Sequence, residues 1–128
     1  MWILAIFLPI LAASNPASSI AEMYGEEYRS CSSGSTIEIV ECLGAHTRAW
    51  EAKLDFEFSL VAAGVDPLQR DLLRSAQRLW VRYRDGNCRF YGSGEGSMRQ
   101  IEAAECLRSM TQARATELKL LGTGTGSK

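Results

Sequence analysis

The fold is decided by residues 76–88, Ala76-Gln77-Arg78-Leu79-Trp80-Val81-Arg82-Tyr83-Arg84-Asp85-Gly86-Asn87-Cys88, whose apolar side chains recur with the period of a helix. The pattern predicts the central helix of a small bundle, with one broad face buried. The apolar residues of that face are Leu68, Leu72, Leu73, Ala76, Leu79, Trp80 and Tyr83. The arginines of the same segment fall on another face: Arg70, Arg74, Arg78 and Arg82. Asp66 is placed to cap this helix, and Pro67 suits its first position.

Helices are predicted on both sides of this segment. The first is capped by Ser35 or Thr36 and ends near Gly64, a residue that readily adopts the left-handed conformation of a helix C-terminus. A single residue then separates Gly64 from the Asp66 cap. The two helices should therefore form a tight antiparallel hairpin. Its buried seam comprises Val40, Leu43, Thr47, Trp50, Leu54, Phe58 and Val61. The third helix begins at Ser97 and ends at Gly122. Residues 22–35 lack a sustained period and should form an extended arm or short turn.

The N-terminal residues have the pattern of an export signal. Residues 2–13 are an apolar run of about a dozen residues, shorter than the ~20 that span a membrane, and small polar residues follow it. We therefore expect a secretory signal peptide at 1–21, a folded domain at 22–121 and a disordered tail at 122–128. An uncleaved membrane anchor is the alternative for the first segment. The mature protein should be periplasmic or secreted, with no membrane partner.

The cysteines indicate disulfides and not a metal site. The chain has four cysteines and a single histidine, His46, and no Cys-x-x-Cys motif, so we expect no metal and no cofactor. In an exported chain, four cysteines predict two disulfides. We expect Cys31 with Cys42 and Cys88 with Cys106, because each pair is close in sequence. The pairing of Cys42 with Cys88, which leaves Cys31 with Cys106, stays open. The predicted fold class is thus all-α: a small disulfide-stapled antiparallel three-helix bundle.

Residues 76–88 also resemble a known family. The segment Ala76-Gln77-Arg78-Leu79-Trp80, then Tyr83-Arg84-Asp85 and Cys88, is similar to the signature of the LprI-type lysozyme-inhibitor domain. Further matching residues are Cys31, Cys42, Cys106, Leu107, Thr111, Arg114 and Leu118, so that the resemblance covers Tyr28 to Leu121. It implies a protein that binds a lysozyme-type muramidase and protects peptidoglycan. Without it, the residues predict a small secreted helical binding domain. An envelope interaction module or peptidoglycan-binding module with another target is the alternative.

The charge is unevenly distributed along the chain. Residues 22–66 contain nine acidic and three basic side chains, whereas residues 67–128 contain six acidic and eleven basic ones. This asymmetry either holds helices together or presents an acidic surface to a basic partner. For the second case, the candidate partner-binding residues are Glu41, Glu51 and Asp55 of the first helix, with Gly94 and Glu95 of the glycine-rich loop.

Other functional classes fit less well. The carboxylates of the first helix imply no cleft, and His46 has no obvious nucleophile beside it, so we expect no enzyme. The row of arginines on the central helix is typical of nucleic-acid binding, but export and an overall pI near 5.8 argue against that function. We expect the protein to be a monomer. Four residues of the family-like motif are assigned to the fold and not to a partner surface: Gln77, Trp80, Arg84 and Asp85.

Overall fold

The computed structural model describes residues 23–124, and within them it has four helices and no strand. The helices are α1 (Glu26–Cys31), α2 (Thr36–Ala63), α3 (Pro67–Tyr91) and α4 (Met98–Gly124). The predicted all-α helical bundle is confirmed. The segment predicted as an extended arm or turn contains the short helix α1 instead.

The predicted starts of α2 and α3 are confirmed by their capping contacts. The Glu38 amide donates to Ser35 Oγ at 3.3 Å and the Ser35 amide donates to Glu38 Oε2 at 2.7 Å, which makes a complete capping box for α2. At α3, the Gln69 amide donates to Asp66 Oδ1 at 2.8 Å. The end of α2 differs from the expectation, because Gly64 has a right-handed φ of −93° and donates to the Val61 carbonyl.

The core lies mainly between α2 and α4, which run parallel to each other. At the end where both helices begin, Ile39 and Leu43 of α2 pack with Ile101 of α4 and with Cys31. At the other end, a second cluster comprises Leu54 and Val61 of α2 with Ala115 and Leu118 of α4. The α2 seam is therefore buried largely as predicted, but its main partner is α4 and not the neighbouring helix α3.

The prediction that α3 is the central helix, buried through its apolar face, is wrong. This helix packs chiefly on α4 and touches α2 little. Of the predicted face, Leu73 and Trp80 lie against the second core cluster, and Cys88, farther around the helix, is buried. The other large residues of that face remain in solvent. We call the exposed large side chains on this side of the helix the α3 apolar stripe, and each is 61–72% exposed: Leu68, Leu72, Leu79, Tyr83 and Phe90.

Two disulfides fasten the helices. Cys31 is bonded to Cys42, which ties α1 to α2, and Cys88 is bonded to Cys106, which ties the end of α3 to α4. This is the pairing expected from the sequence, and it rules out the alternative of Cys42 with Cys88. Each bridge closes a short loop, with sequence separations of 11 and 18.

The predicted terminal segments extend beyond the described residues. The expected signal peptide, residues 1–21, lies outside the described residues, as does the tail after Gly124. At the C-terminal end, α4 continues to Gly124 and thus passes the glycine predicted to end it, Gly122. Between residues 23 and 124, no helix is both long and apolar enough to cross a membrane.

Candidate functional site

The candidate acidic face is formed by Glu41, Glu51 and Asp55 on α2. Glu41 and Asp55 are exposed, and fourteen positions separate them, which corresponds to about 21 Å along a helix. Glu51 is half-buried, and its carboxylate lies 3.5 Å from Arg84 Nη1 of α3. The structure therefore places these residues along one helix without gathering them around a cleft. Of these three residues, only Glu41 and Asp55 are exposed and make no ion pair within residues 23–124.

The glycine-rich loop lies at the same end of the molecule as Glu41. It joins α3 to α4, and the first turns of α2 and α4 pack together in the core cluster of Ile39 and Ile101. Gly94 and Glu95 are both exposed, and a side chain at Gly94 would meet no atom within 4 Å. Gly96 has a positive φ of 80°, which a glycine adopts readily. The loop is thus an open surface beside one end of the acidic face.

Of the motif residues Gln77, Trp80, Arg84 and Asp85, the first three contact other helices, whereas Asp85 contacts Arg84 of its own helix. Gln77 Oε1 accepts a hydrogen bond from Arg114 of α4 at 3.0 Å. Arg84 is only 13% exposed: it pairs with Glu51 and with Asp85, donates to Thr111 Oγ1 at 3.4 Å, and lies over the Trp80 ring. These contacts support the proposal that the motif serves the fold.

A buried ion network, which the sequence did not reveal, joins α1 to α4. Arg108 is 1% exposed and Glu105 is fully buried, and Arg108 Nε donates to Glu105 Oε2 at 2.8 Å. Arg108 Nη1 also donates to Glu27 Oε1 of α1 at 2.8 Å. Glu27 accepts further from Trp50 Nε1, and its other oxygen lies 2.7 Å from His46 Nδ1. Glu27 therefore links α1 to both α2 and α4.

The charges around Glu27 change its acidity. Partial burial alone would raise the pKa of Glu27, but hydrogen bonds from Trp50 and Arg108 and the positive charges of His46 and Arg108 outweigh it, so that the pKa lies below the ordinary value of 4.5. A carboxyl group with a lowered folded pKa stabilises the fold above its unfolded pKa. This stabilisation is lost as the pH falls through the pKa that Glu27 has in the folded protein.

This lowered pKa leads to a prediction about acid stability. The difference in Tm between the protein and its Glu27→Gln variant should shrink steadily as the pH falls below about pH 4.5. Thermal melts followed by circular dichroism at half-unit pH intervals would measure it. Glu26→Gln, at an exposed neighbouring position, is the matched control. A difference that grew as the pH fell below about pH 4.5 would contradict the prediction.

One cluster of potential metal ligands is present among the described residues. The ligand atoms of Cys31, Cys42 and His46 lie within 4.8 Å of one another. However, the two sulfurs are bonded to each other, so neither is available as a thiolate. In addition, His46 Nδ1 faces Glu27. The geometry therefore gives no reason to assign a metal to this cluster.

Two surface pockets lie away from the acidic face and the loop. One, of about 310 Å³, is lined by Trp50, Lys53, Glu57, Ala115, Thr116 and Lys119. The other, of about 430 Å³, is mostly apolar and is lined by Val61, Val65, Gln69, Leu72, Leu73, Ala76 and Leu121. The second pocket is continuous with the α3 apolar stripe through Leu72.

Two unexpected features of the fold are indicated by the sequence: the exposure of the α3 apolar stripe and the burial of Glu105 and Arg108. At 100° per residue, Cys88 lies about 160° around α3 from Leu72. Because Cys88 is bonded to Cys106 of α4, the apolar stripe must face away from α4. Glu105 and Arg108 lie four and seven positions after the buried Ile101, and thus on its face of α4. Both signals depend on knowing which side of a helix meets its neighbour.

Comparison with known proteins places the chain in a family. A family model described as "Lysozyme inhibitor LprI" matches residues 28–118, which extend from α1 through most of α4 and include both disulfides. The chain belongs to the LprI lysozyme-inhibitor family. An uncharacterised protein of Rhizobium meliloti (strain 1021) is 31% identical over 102 residues, which cover 68% of this chain and 73% of that protein. No solved structure matches the chain.

Membership in the LprI family agrees with the geometry in one respect. The family is described by inhibition of an enzyme and not by catalysis. The candidate residues lie on the helix α2 and on an exposed loop, and they line neither of the two pockets described above.

Proposed function

We propose that this LprI-family protein is an exported inhibitor of lysozyme, which binds a muramidase and so protects peptidoglycan from hydrolysis. The match to the inhibitor family across residues 28–118 carries this proposal. The two disulfides support export, because such bonds form and persist in oxidising compartments such as the periplasm.

The acidic face suggests how a basic lysozyme is recognised. Glu41 and Asp55 are exposed carboxylates on one helix, and their negative potential would attract a positively charged partner during diffusional encounter. The open loop with Gly94 and Glu95 lies at the Glu41 end, where it can extend the contact towards the substrate cleft of the enzyme. The inhibitor would thus act by occlusion, without chemistry of its own.

Charge reversal on the acidic face should slow association with lysozyme. We expect Asp55→Lys to lower the association rate constant about three- to tenfold at low ionic strength, and to have little effect at high salt, because exposed charges are screened. Glu51 is a poorer test, because it also pairs with Arg84. Stopped-flow fluorescence or surface plasmon resonance at several salt concentrations would measure the effect.

The matched control is Asp71→Lys, which changes the net charge equally at an exposed position of α3. It should leave the association rate nearly unchanged. An equal effect of both variants would show that only the net charge matters and that the acidic face is not the contact.

The inhibition itself is tested by the clearance of cell-wall suspensions by lysozyme, with increasing amounts of the oxidised protein. The expected result is slower clearance together with a complex detected by titration calorimetry. Absence of both with several lysozyme types, while the disulfides are intact, would contradict the proposal. A parallel pull-down on insoluble peptidoglycan tests the alternative of an envelope module with another target.

A further inference from the structure

The α3 apolar stripe is a long apolar surface that the fold leaves in solvent. Its first and last members, Leu68 and Phe90, are separated by 22 positions, or about 33 Å along the helix. Three further large side chains, Leu72, Leu79 and Tyr83, lie between them on the same side and are more than half exposed. Exposed apolar surface of this extent marks an interaction site in soluble proteins.

A row of arginines runs beside the stripe. Arg78, Arg82 and Arg89 are spaced four and seven positions apart, so they lie on one side of α3, about 80° to 120° around the helix from Leu72. All three are exposed, and within residues 23–124 neither Arg82 nor Arg89 makes an ion pair.

The acidic residues of α3 do not neutralise this row. Asp71 lies 3.9 Å from Arg74, and Asp85 lies 3.0 Å from Arg84, so each has an arginine of its own outside the row. Positive charge outside these ion pairs therefore accompanies the second half of the stripe, from Arg78 to Arg89, and the occupant should be apolar on one side and negatively charged beside it.

The charge pattern disfavours a second copy of the chain. If two α3 helices paired antiparallel through the stripe, the two arginine rows would face each other and repel. If they paired parallel, each row would face the neutral side chains Gln69 and Asn87 of the other copy. A basic lysozyme is disfavoured by the same positive charge.

We propose that α3 lies on the surface of an anionic phospholipid bilayer, with the stripe in the boundary between headgroups and acyl chains and the arginines on the lipid phosphates. An amphipathic helix with leucine and aromatic residues on one face and arginines beside it is the pattern of helices that lie in this boundary. The arginine stems can reach the headgroups from beside the apolar face. This proposal departs from the expectation of no membrane partner after removal of the signal peptide.

The surface is independent of the acidic face, because Glu41 and Asp55 lie on α2. A protein on the bilayer would therefore keep its acidic side chains available to lysozyme. Failure of either proposal leaves the other standing, since vesicle binding and lysozyme inhibition are separate measurements.

The test is cosedimentation with vesicles, using the chain from Glu22 onward so that the apolar run at residues 2–13 does not contribute. This chain contains both core clusters and both disulfides. We expect binding to vesicles that contain phosphatidylglycerol, and at least tenfold weaker binding to pure phosphatidylcholine. Leu68→Gln with Leu79→Gln should remove binding. Arg82→Gln with Arg89→Gln should weaken it by about fivefold for each charge.

Matched controls come from α2. Ile37→Gln with Phe56→Gln removes two exposed apolar side chains of similar size, and Arg48→Gln removes an exposed arginine. These variants should bind as the parent does, and all variants should keep its Tm. Loss of binding in the controls, or no binding by the parent, would overturn the proposal. If the parent protein formed a dimer and bound no vesicles, and if the variant Leu68→Gln, Leu79→Gln did not dimerise, the stripe would be an interface with a second copy. That result would also overturn the proposal.

Discussion

Replacement of Arg108 by alanine should destabilise the fold by about 3 to 5 kcal/mol, because the change leaves the fully buried carboxylate of Glu105 without its cation. Glu27 would lose a hydrogen bond as well, so the attachment of α1 to α4 would weaken. For a domain of this size, the loss corresponds to a fall in Tm of at least about 12 °C. Differential scanning calorimetry at neutral pH would measure it.

Two further variants separate the loss of the buried pair from a simple change of charge. Arg48→Ala removes an exposed arginine of α2 and should change the stability by no more than about 0.5 kcal/mol. The double variant Glu105→Leu, Arg108→Met replaces the buried pair with apolar side chains and should recover much of the stability, since such exchanges are often neutral. If Arg108→Ala had the same Tm as Arg48→Ala, the buried ion network would have no role in stability.

Removal of the second disulfide should release α3 from the rest of the bundle. In the variant Cys88→Ser, Cys106→Ser, we expect a loss of about 3 kcal/mol, given the short loop that the bridge closes. The loss should be concentrated in α3, whose other attachments to α4 are few, notably Gln77 with Arg114 and Arg84 with Thr111. Hydrogen exchange followed by mass spectrometry should show faster exchange in α3 than in α2 or α4.

The variant Cys31→Ser, Cys42→Ser is the matched control. Its bridge closes a loop of comparable length between α1 and α2, so its removal should expose the amides of α1 and leave those of α3 protected. Equal loss of protection in every helix of both variants would mean that the domain unfolds as one unit and that α3 is not a separate, weakly held element.

The parts of the fold that depend on neighbouring residues were predictable from the sequence. Ser35 with Glu38, and Asp66 with Pro67, act within one helical turn, so their capping roles can be recognised without knowledge of the tertiary structure. The disulfide pairing also followed from proximity along the chain. The seam of α2 was recognisable because its residues recur in steps of three and four, although Ile37 and Phe56 lie outside it and are exposed.

The role of α3 was not predictable from its periodicity, because two of its faces can pack. Leu68 and Leu79 belong to the more obvious apolar face, whereas the face that packs combines Leu73 and Trp80 with the polar side chain of Arg84. Periodicity measures how apolar a face is, but it does not identify the neighbouring helix. The same limit explains why Glu105 and Arg108 were not expected in the core, since charged residues are rarely buried unless they are paired.

The site was predictable to a smaller extent than the fold. Glu41, Asp55, Gly94 and Glu95 lie on the surface, which agrees with a role in partner binding and leaves that role a proposal. Glu51 is different, because an arginine 33 positions later in the chain already holds its carboxylate, and sequence spacing does not reveal such a contact.

The parallel packing of α2 on α4 has a consequence for the order of folding. Ile39 and Ile101 belong to one core cluster although they are 62 positions apart, so neither half of the chain can form the main core alone. Closure of so long a loop costs conformational entropy before any core contact is gained, and such contacts slow the folding of helical proteins. The Cys31–Cys42 bond, in contrast, joins near neighbours that are available as soon as the first half of α2 has been synthesised. The Cys31–Cys42 disulfide can therefore form before α4 packs on the apolar seam of α2.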